Sequence, residues 1–197
     1  MTRTARYKRT YFLTLAGLSA LVLLAAFLTR RPVPVLAGAA VVFLLPGRLQ
    51  GWLWRDFFRG RRLLSGGRPD ESIAHFERFL ETLRRHPGRR RAVWLAGSAY
   101  TRDVEAMTLN NLGIAHLLAG RFEEAEAKFR EALKVDDLYP LPHAGLADLA
   151  VRRERPDEAR GHAERAVALG FTGGRIKRLL RSLPLPPPRG GRETSAT

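Results

Sequence analysis

Residues suited to a helix interface recur at helical spacing on both sides of Gly120. Before this glycine they are Leu109, Leu112, Ala115, His116 and Leu118, and after it they are Ala125, Phe129, Ala132 and Leu133. A glycine just past one periodic run, followed by the acids Glu123 and Glu124 that open the next, marks the end of one helix and the start of another. The pattern over residues 109–133 therefore predicts a helical hairpin, in which each helix needs the other to bury its apolar face.

The same residues resemble the tetratricopeptide repeat, a two-helix unit of about 34 residues with a Leu-Gly pair on its first helix and an alanine and a phenylalanine on its second. Leu112 and Gly113 match the pair, and Ala125 and Phe129 match the second helix. In the remaining slots, Leu109 stands for a tryptophan, His116 for a tyrosine and, late, Pro140 for the proline. The resemblance implies an all-helical array of stacked hairpins.

A further hairpin follows in register. Ala147 and Ala159 stand 34 residues beyond Gly113 and Ala125, which is the repeat length of the family. Ala163 occupies the place of the aromatic residue. We therefore expect the packing of this hairpin to be shallower, or to be completed by the next helix.

A weaker match precedes the first hairpin. Ser72 and Phe76 stand in the places of the alanine and the phenylalanine of the second helix, and Gly60 in that of the glycine of the first. Phe76 lies 53 residues before Phe129, which is one repeat of 34 residues and 19 more. The sequence therefore predicts an insertion within residues 88–106.

The bounds of the repeat domain follow from its flanks. Residues 92–118 are compatible with one long helix or with two helices broken near Gly97. After Gly170 the apolar residues on one side of a short helix, as in a capping helix, are Ile176, Leu179, Leu180 and Leu183. The repeat domain is predicted over residues 55–183, and the tail 184–197, which is poor in apolar residues, is expected to be disordered.

The amino-terminal part is predicted to enter a membrane. Residues 11–28 hold no charge, and at about 1.5 Å per residue such a helix nearly crosses a hydrocarbon core of about 30 Å. A cleaved signal peptide is the alternative, because the basic residues 1–10 precede the run. Residues 33–45 form a second apolar run, which completes a two-helix anchor over 11–54 if it continues through Trp54 and is otherwise re-entrant or surface-lying.

Charge indicates an orientation for this anchor. The net charge is +15, and 11 of the 34 basic residues lie in the first 62 positions, against a single acid. Basic residues collect on the cytoplasmic side of membrane spans, so both termini and the repeats are predicted to be cytoplasmic, in an integral protein of a bacterial cell membrane. The same placement makes the lipid bilayer an expected partner and gives no reason to expect nucleic acid.

The sequence predicts a protein that is not an enzyme. It has no cysteine, and its five histidines are His75, His86, His116, His143 and His162. No two of these stand at a metal-ligand spacing beside a carboxylate. Glu123, Glu124 and Glu126 lie in a first helical turn, where the helix dipole favours acids. We expect no catalytic residue, no cofactor and no metal ion.

A partner-binding groove is predicted along the first helices of the hairpins. Stacked hairpins form a superhelix, and the resemblance implies that its concave face holds a protein or peptide partner. The residues projected onto this face are Asn110, Asn111, Ile114, Leu117, Ala144, Gly145, Asp148 and Val151. The amide of Asn111 suits an extended peptide backbone, although Asn110 and Asn111 are equally compatible with plain solvent exposure.

The predicted function is that of a membrane-anchored adaptor that holds a protein partner at the cytoplasmic membrane face. The alternative is a structural subunit that packs within a membrane complex through its spans, where Gly17 and Ala20 would permit close helix contact. The clamp with which some family members grip a terminal carboxylate is not expected, because the corresponding positions are apolar, small or acidic. The oligomeric state is not determined by the sequence.

Overall fold

The computed structural model of the protein describes residues 3–29, 32–87, 100, 101 and 103–183. Over these ranges the chain is helical and forms no strand, which confirms the all-helical fold class. The helices are α1 (Arg3–Thr29), α2 (Pro32–Leu53), α3 (Arg55–Ser65), α4 (Pro69–Arg85), α5 (Val104–Leu118), α6 (Phe122–Val135), α7 (Pro140–Arg152), α8 (Pro156–Ala168) and α9 (Gly174–Ser182).

The prediction of an integral membrane protein is wrong. Within the described ranges, no helix combines the length and the apolar content that crossing a bilayer requires. The prediction depended on the 18 uncharged residues 11–28, which form about 27 Å of helix against a hydrocarbon core of about 30 Å. The predicted cytoplasmic orientation depended on the same spans and is corrected with them.

An aromatic cluster joins the amino-terminal helices to the rest of the chain. α1 and α2 lie against each other, and only Trp54 separates α2 from α3. Trp54 is fully buried, and its ring centroid lies 5.9 Å from that of Phe57 and 6.0 Å from that of Phe79. The connection is therefore a packed cluster and not a loop.

The other seven described helices form three hairpins and a closing helix. α3 packs on α4, α5 on α6 and α7 on α8, while α4 contacts α5, α6 contacts α7, and α9 lies on α8. α5 also contacts α7, so the first helices of these two hairpins lie side by side. The predicted tetratricopeptide-like repeat fold is confirmed.

Two glycines face the phenylalanines that follow them by sixteen residues. A β-carbon on Gly60 would lie 2.8 Å from Cε1 of Phe76, and one on Gly113 would lie 2.7 Å from Cδ1 of Phe129. Both rings are fully buried. Phe129 also reaches α7, where a β-carbon on Gly145 would collide with its ring. Phe129 therefore packs between the second and third hairpins, and only glycine leaves room for it.

The third hairpin has alanines at the equivalent positions. Ala147 and Ala163 are fully buried and form one cluster with Ile176 of α9, which is 3% exposed. Two methyl groups fill less space than a phenylalanine ring, so α9 supplies the apolar volume that the hairpin itself lacks.

Each hairpin turn contains one residue with positive φ. These residues are Gly67 (73°), Gly120 (76°) and Glu154 (57°). The N–H groups that follow them donate to the carbonyl five residues back: Arg68 to Leu63 at 3.0 Å, Arg121 to His116 at 2.9 Å and Arg155 to Ala150 at 2.9 Å. This is the Schellman arrangement, in which glycine usually takes the left-handed position. The third turn has a glutamate there instead.

A capping residue sets the start of α5. Asp103 accepts hydrogen bonds from two backbone N–H groups of the first turn, at 2.8 and 3.1 Å. Tyr100, Thr101 and Asp103 are not helical, so α5 does not continue through them into one longer helix. Of the predicted insertion, residues 88–99 and 102 lie outside the described residues, as does the tail 184–197.

Candidate partner-binding surface

The residues predicted to face a partner divide into buried and accessible ones. Asn110 is 2% exposed and Leu117 is 6% exposed, and Gly145 is buried as well. Their side chains offer almost no area to a partner, and Oδ1 of Asn110 finds no hydrogen-bond partner among the described residues. The accessible ones, which we call the first-arm surface, are Asn111, Ile114, Ala144, Asp148 and Val151.

On α5 the first-arm surface combines an amide with an aliphatic side chain. Asn111 is partly exposed, and its Nδ2 donates to the carbonyl of Met107 at 2.7 Å. Ile114 packs partly against the cluster that contains Leu117 and Phe129. A side-chain amide has two N–H protons and a carbonyl oxygen, so this internal bond leaves Asn111 with further hydrogen-bonding capacity.

On α7 the surface combines two apolar side chains with one carboxylate. Ala144 packs against the core of the third hairpin, whereas Val151 is 41% exposed. The side chain of Asp148 is 24% exposed, and its Oδ2 lies 3.2 Å from Nη2 of Arg175. This ion pair links α7 to α9.

α7 and α9 form the walls of an open cleft of about 430 Å³. Its lining residues are Asp148, Val151, Arg152, Arg175, Arg178, Leu179 and Ser182. We call it the α7–α9 cleft. Two of its residues, Asp148 and Val151, belong to the first-arm surface, so the cleft continues that surface toward the end of the array.

The charges of the cleft are unbalanced. Burial raises the pKa of the Asp148 carboxyl above its ordinary value, although the charges of Arg175 and Arg152 act in the opposite direction. Of the three arginines that line the cleft, only Arg175 has a carboxylate partner among the described residues. The cleft therefore carries an excess of positive charge.

The sequence did not identify Arg175 and Arg178 as candidate site residues. It characterised α9 by the apolar side that covers the third hairpin. The arginines are three residues apart and therefore share one helix face, which is a signal in the sequence. That this face borders α7 depends on how α9 docks, and no local pattern gives the docking.

Two neighbouring arginines where α7 ends have different surroundings. Arg152 lines the cleft, whereas Arg153 pairs with Glu126 and, at 3.1 Å, with Glu123 of α6. Burial acts to raise the pKa of Glu126, but the hydrogen bond from Arg153 and the charge of Arg130 outweigh it and lower this pKa. Glu126 therefore links α6 to the end of α7, and it lies just past the first turn of α6, which contains Glu123 and Glu124.

The fold brings two of the scattered histidines together. Nδ1 of His143 on α7 lies 3.2 Å from Nδ1 of His162 on α8, with ring centroids 5.4 Å apart. Burial, with the charges of His162 and Arg165, lowers the pKa of His143 to about 4, and burial lowers the pKa of His162 as well. The geometry is that of two neutral rings, of which one donates a hydrogen bond and the other accepts it.

The other two buried or half-buried histidines of the repeats have different surroundings. His75 Nδ1 of α4 lies 3.0 Å from Oδ1 of Asp56 on α3. His116 is 6% exposed, and this burial lowers its pKa. In the described part of the chain, no three His, Asp or Glu side chains are placed to hold a metal ion together.

Comparison with known proteins supports the repeat fold. The sequence model of the family described as Tetratricopeptide repeat matches residues 106–139, which comprise most of α5, all of α6 and the turn to α7. This match confirms the resemblance that Leu112, Gly113, Ala125 and Phe129 carry.

Among solved structures, the chain is similar to the second TPR domain of the human RPAP3 protein, determined by NMR in complex with an HSP70 peptide. The identity is 19%, the similarity covers 68% of this chain and 94% of that chain, and the TM-score is 0.47. No curated protein matches the chain in a sequence search.

Proposed function

We propose that the protein is a helical-repeat adaptor that holds a protein or peptide partner on its first-arm surface. The observation that carries this proposal is the side-by-side packing of α5 and α7. It places a partly exposed amide, Asn111, and an exposed aliphatic side chain, Val151, on neighbouring helices. A surface of mixed hydrogen-bonding and apolar groups on a rigid scaffold suits the recognition of a polypeptide.

The packing of the array supports a binding role for these helices. Phe129 packs between α5 and α7, and the buried Ile176 holds α9 on the third hairpin, where the Asp148–Arg175 pair links α9 to α7. A surface on helices held in this way is ordered before the partner arrives, which reduces the entropy cost of association. Because the surface is short, we expect a dissociation constant of about 1 μM or weaker.

The absence of cysteine from the sequence allows a direct test by site-specific crosslinking. Val151→Cys places a single thiol on the first-arm surface, and Val167→Cys is a matched control on α8, since these valines are 41% and 38% exposed. Each variant is labelled with a thiol-directed photocrosslinker, irradiated in an extract of the source cells, and its adducts are identified by mass spectrometry.

We expect a defined protein adduct from position 151 that is lacking at position 167. Adding the Asn111→Ala substitution to Val151→Cys should weaken this adduct without changing the circular dichroism spectrum. Identical adducts at both positions would mean that the first-arm surface is not the binding face.

A further inference from the structure

The α7–α9 cleft has two arginines that make no ion pair with a carboxylate in the described part of the chain. Asp148 pairs with Arg175 at 3.2 Å, whereas Arg152 and Arg178 line the same cleft without a carboxylate partner among the described residues. Guanidinium groups bind carboxylates through charge-assisted hydrogen bonds, and like charges that share a cleft favour an anionic occupant. Charge complementarity therefore points to acidic groups on whatever occupies the cleft.

The cleft also has an apolar component. Val151 is 41% exposed, and Leu179 is only partly buried against the cluster of Ala147, Ala163 and Ile176. A small inorganic anion would leave both side chains in water. An occupant that carries apolar side chains beside its acids would cover them and gain from their burial.

The arginines of α9 stand on a fixed helix. Ile176 is 3% exposed in the core of the third hairpin, and Nη2 of Arg160 on α8 donates to the carbonyl of Leu183 at 2.7 Å, just past the end of α9. α9 is thus held at both of its ends. The positions of Arg175 and Arg178 relative to α7 follow from this packing.

We propose that the α7–α9 cleft binds an acidic segment of the partner polypeptide, whose carboxylates pair with Arg152 and Arg178 while an apolar side chain contacts Val151 and Leu179. This inference rests on the proposed partner-binding function and specifies the chemistry of the partner. Asp148 already pairs with Arg175, so the cleft offers two arginines, and not three, to the ligand.

The first arm of the test compares peptides of one apolar pattern and different charge. Three fluorescein-labelled peptides alternate leucine with glutamate, with glutamine or with lysine, and their binding to the full chain is measured by fluorescence anisotropy. The glutamate peptide should bind at least about tenfold more tightly than the glutamine peptide, the lysine peptide should not bind, and the affinity of the glutamate peptide should fall as salt increases.

The second arm compares two double variants that remove the same charge. Arg152→Gln with Arg178→Gln changes the cleft, whereas Lys177→Gln with Arg181→Gln changes exposed residues of α9 that do not line it. The cleft variant should bind the glutamate peptide at least about tenfold more weakly, and the control should stay within about twofold of the parent chain. Thermal melts establish that both variants are folded.

Several results would overturn the inference. Equal weakening by the two double variants would assign the effect to net charge and not to the cleft. Equal affinity for the glutamate and glutamine peptides would reject acidic recognition, and so would the failure of all three peptides to bind. The crosslink from position 151 would still report partner binding in these cases, so the proposed function and the partner chemistry fail separately.

Discussion

Adjacent residues of the same type can differ in solvent exposure in the folded chain. Asn110 and Asn111 are neighbours with the same side chain, yet Asn110 is 2% exposed and Asn111 is partly exposed. A step of one residue rotates a helix by about 100°, so one amide faces the packed side and the other faces outward. The sequence projected both onto the groove, and the packing of the neighbouring helices decides which of them a partner can reach.

The histidine pair makes stability depend on pH. His143 has a pKa of about 4 in the folded chain, against about 6.5 when unfolded. The unfolded chain therefore takes up the proton first as pH falls, so the stability contributed by the neutral ring is complete above about pH 6.5 and is lost between about pH 6.5 and 4.

Between about pH 7 and 4.5 the free energy of unfolding should fall in both chains. We expect the fall in the His143→Gln variant to be about 1–2 kcal/mol smaller than the fall in the parent chain. Urea unfolding at both pH values measures this. His86→Gln, a change in an exposed residue just past α4, is the control and should keep the parent dependence. An unchanged pH dependence in His143→Gln would contradict the assignment.

At the scale of the element, the turns within the hairpins recur along the chain at the same spacing as the residues that pack the hairpins. The positive-φ residues of the three hairpin turns, Gly67, Gly120 and Glu154, are spaced by 53 and 34 residues, the same intervals that separate the repeats. In the sequence, Gly120 predicts a turn, whereas Glu154 is not a glycine and does not predict one. The third turn forms there all the same, because the packing of α7 on α8 sets the path of the chain.

Glu154→Gly should stabilise the protein. A residue with a β-carbon is strained at a φ of 57°, and glycine relieves this strain at some cost in unfolded-chain entropy, so the free energy of unfolding should rise by about 0.5–1 kcal/mol. Chemical denaturation measures it. Glu154→Ala removes the charge but keeps the β-carbon, so a gain from alanine equal to that from glycine would refute the explanation by strain.

At the scale of the whole molecule, single side chains couple one hairpin to the next. Phe129 meets Gly113 of its own hairpin and Gly145 of the following one. In an array where each unit contacts only its neighbours, such a residue carries stability across the boundary between units.

Phe129→Ala should lower the free energy of unfolding by about 3–5 kcal/mol and uncouple the third hairpin. Hydrogen exchange followed by mass spectrometry should accelerate in α7 and α8 more than in α3 and α4. Phe76→Ala, which removes the equivalent ring from the first hairpin, should give the reverse order. Equal acceleration in all three hairpins, for either variant, would mean that the array unfolds as a single unit.

Local patterns along the chain were enough to predict the helices, their pairing into hairpins and the register of the repeats. These features depend on local periodicity and on small residues such as Gly60 and Gly113, whose spacing from Phe76 and Phe129 is fixed along the chain. The apolar run 11–28 was also plain in the sequence, but its length and composition alone misled the prediction of a membrane span.

Which polar groups contact each other depends on how the helices pack in three dimensions. The pair of His143 with His162 and that of Asp148 with Arg175 join residues 19 and 27 positions apart on different helices. Such contacts depend on the rotation and docking of whole helices, which side-chain packing fixes and which no local pattern encodes. The repeat fold could therefore be predicted from the sequence, whereas the arginine-lined cleft depends on the docking of α9.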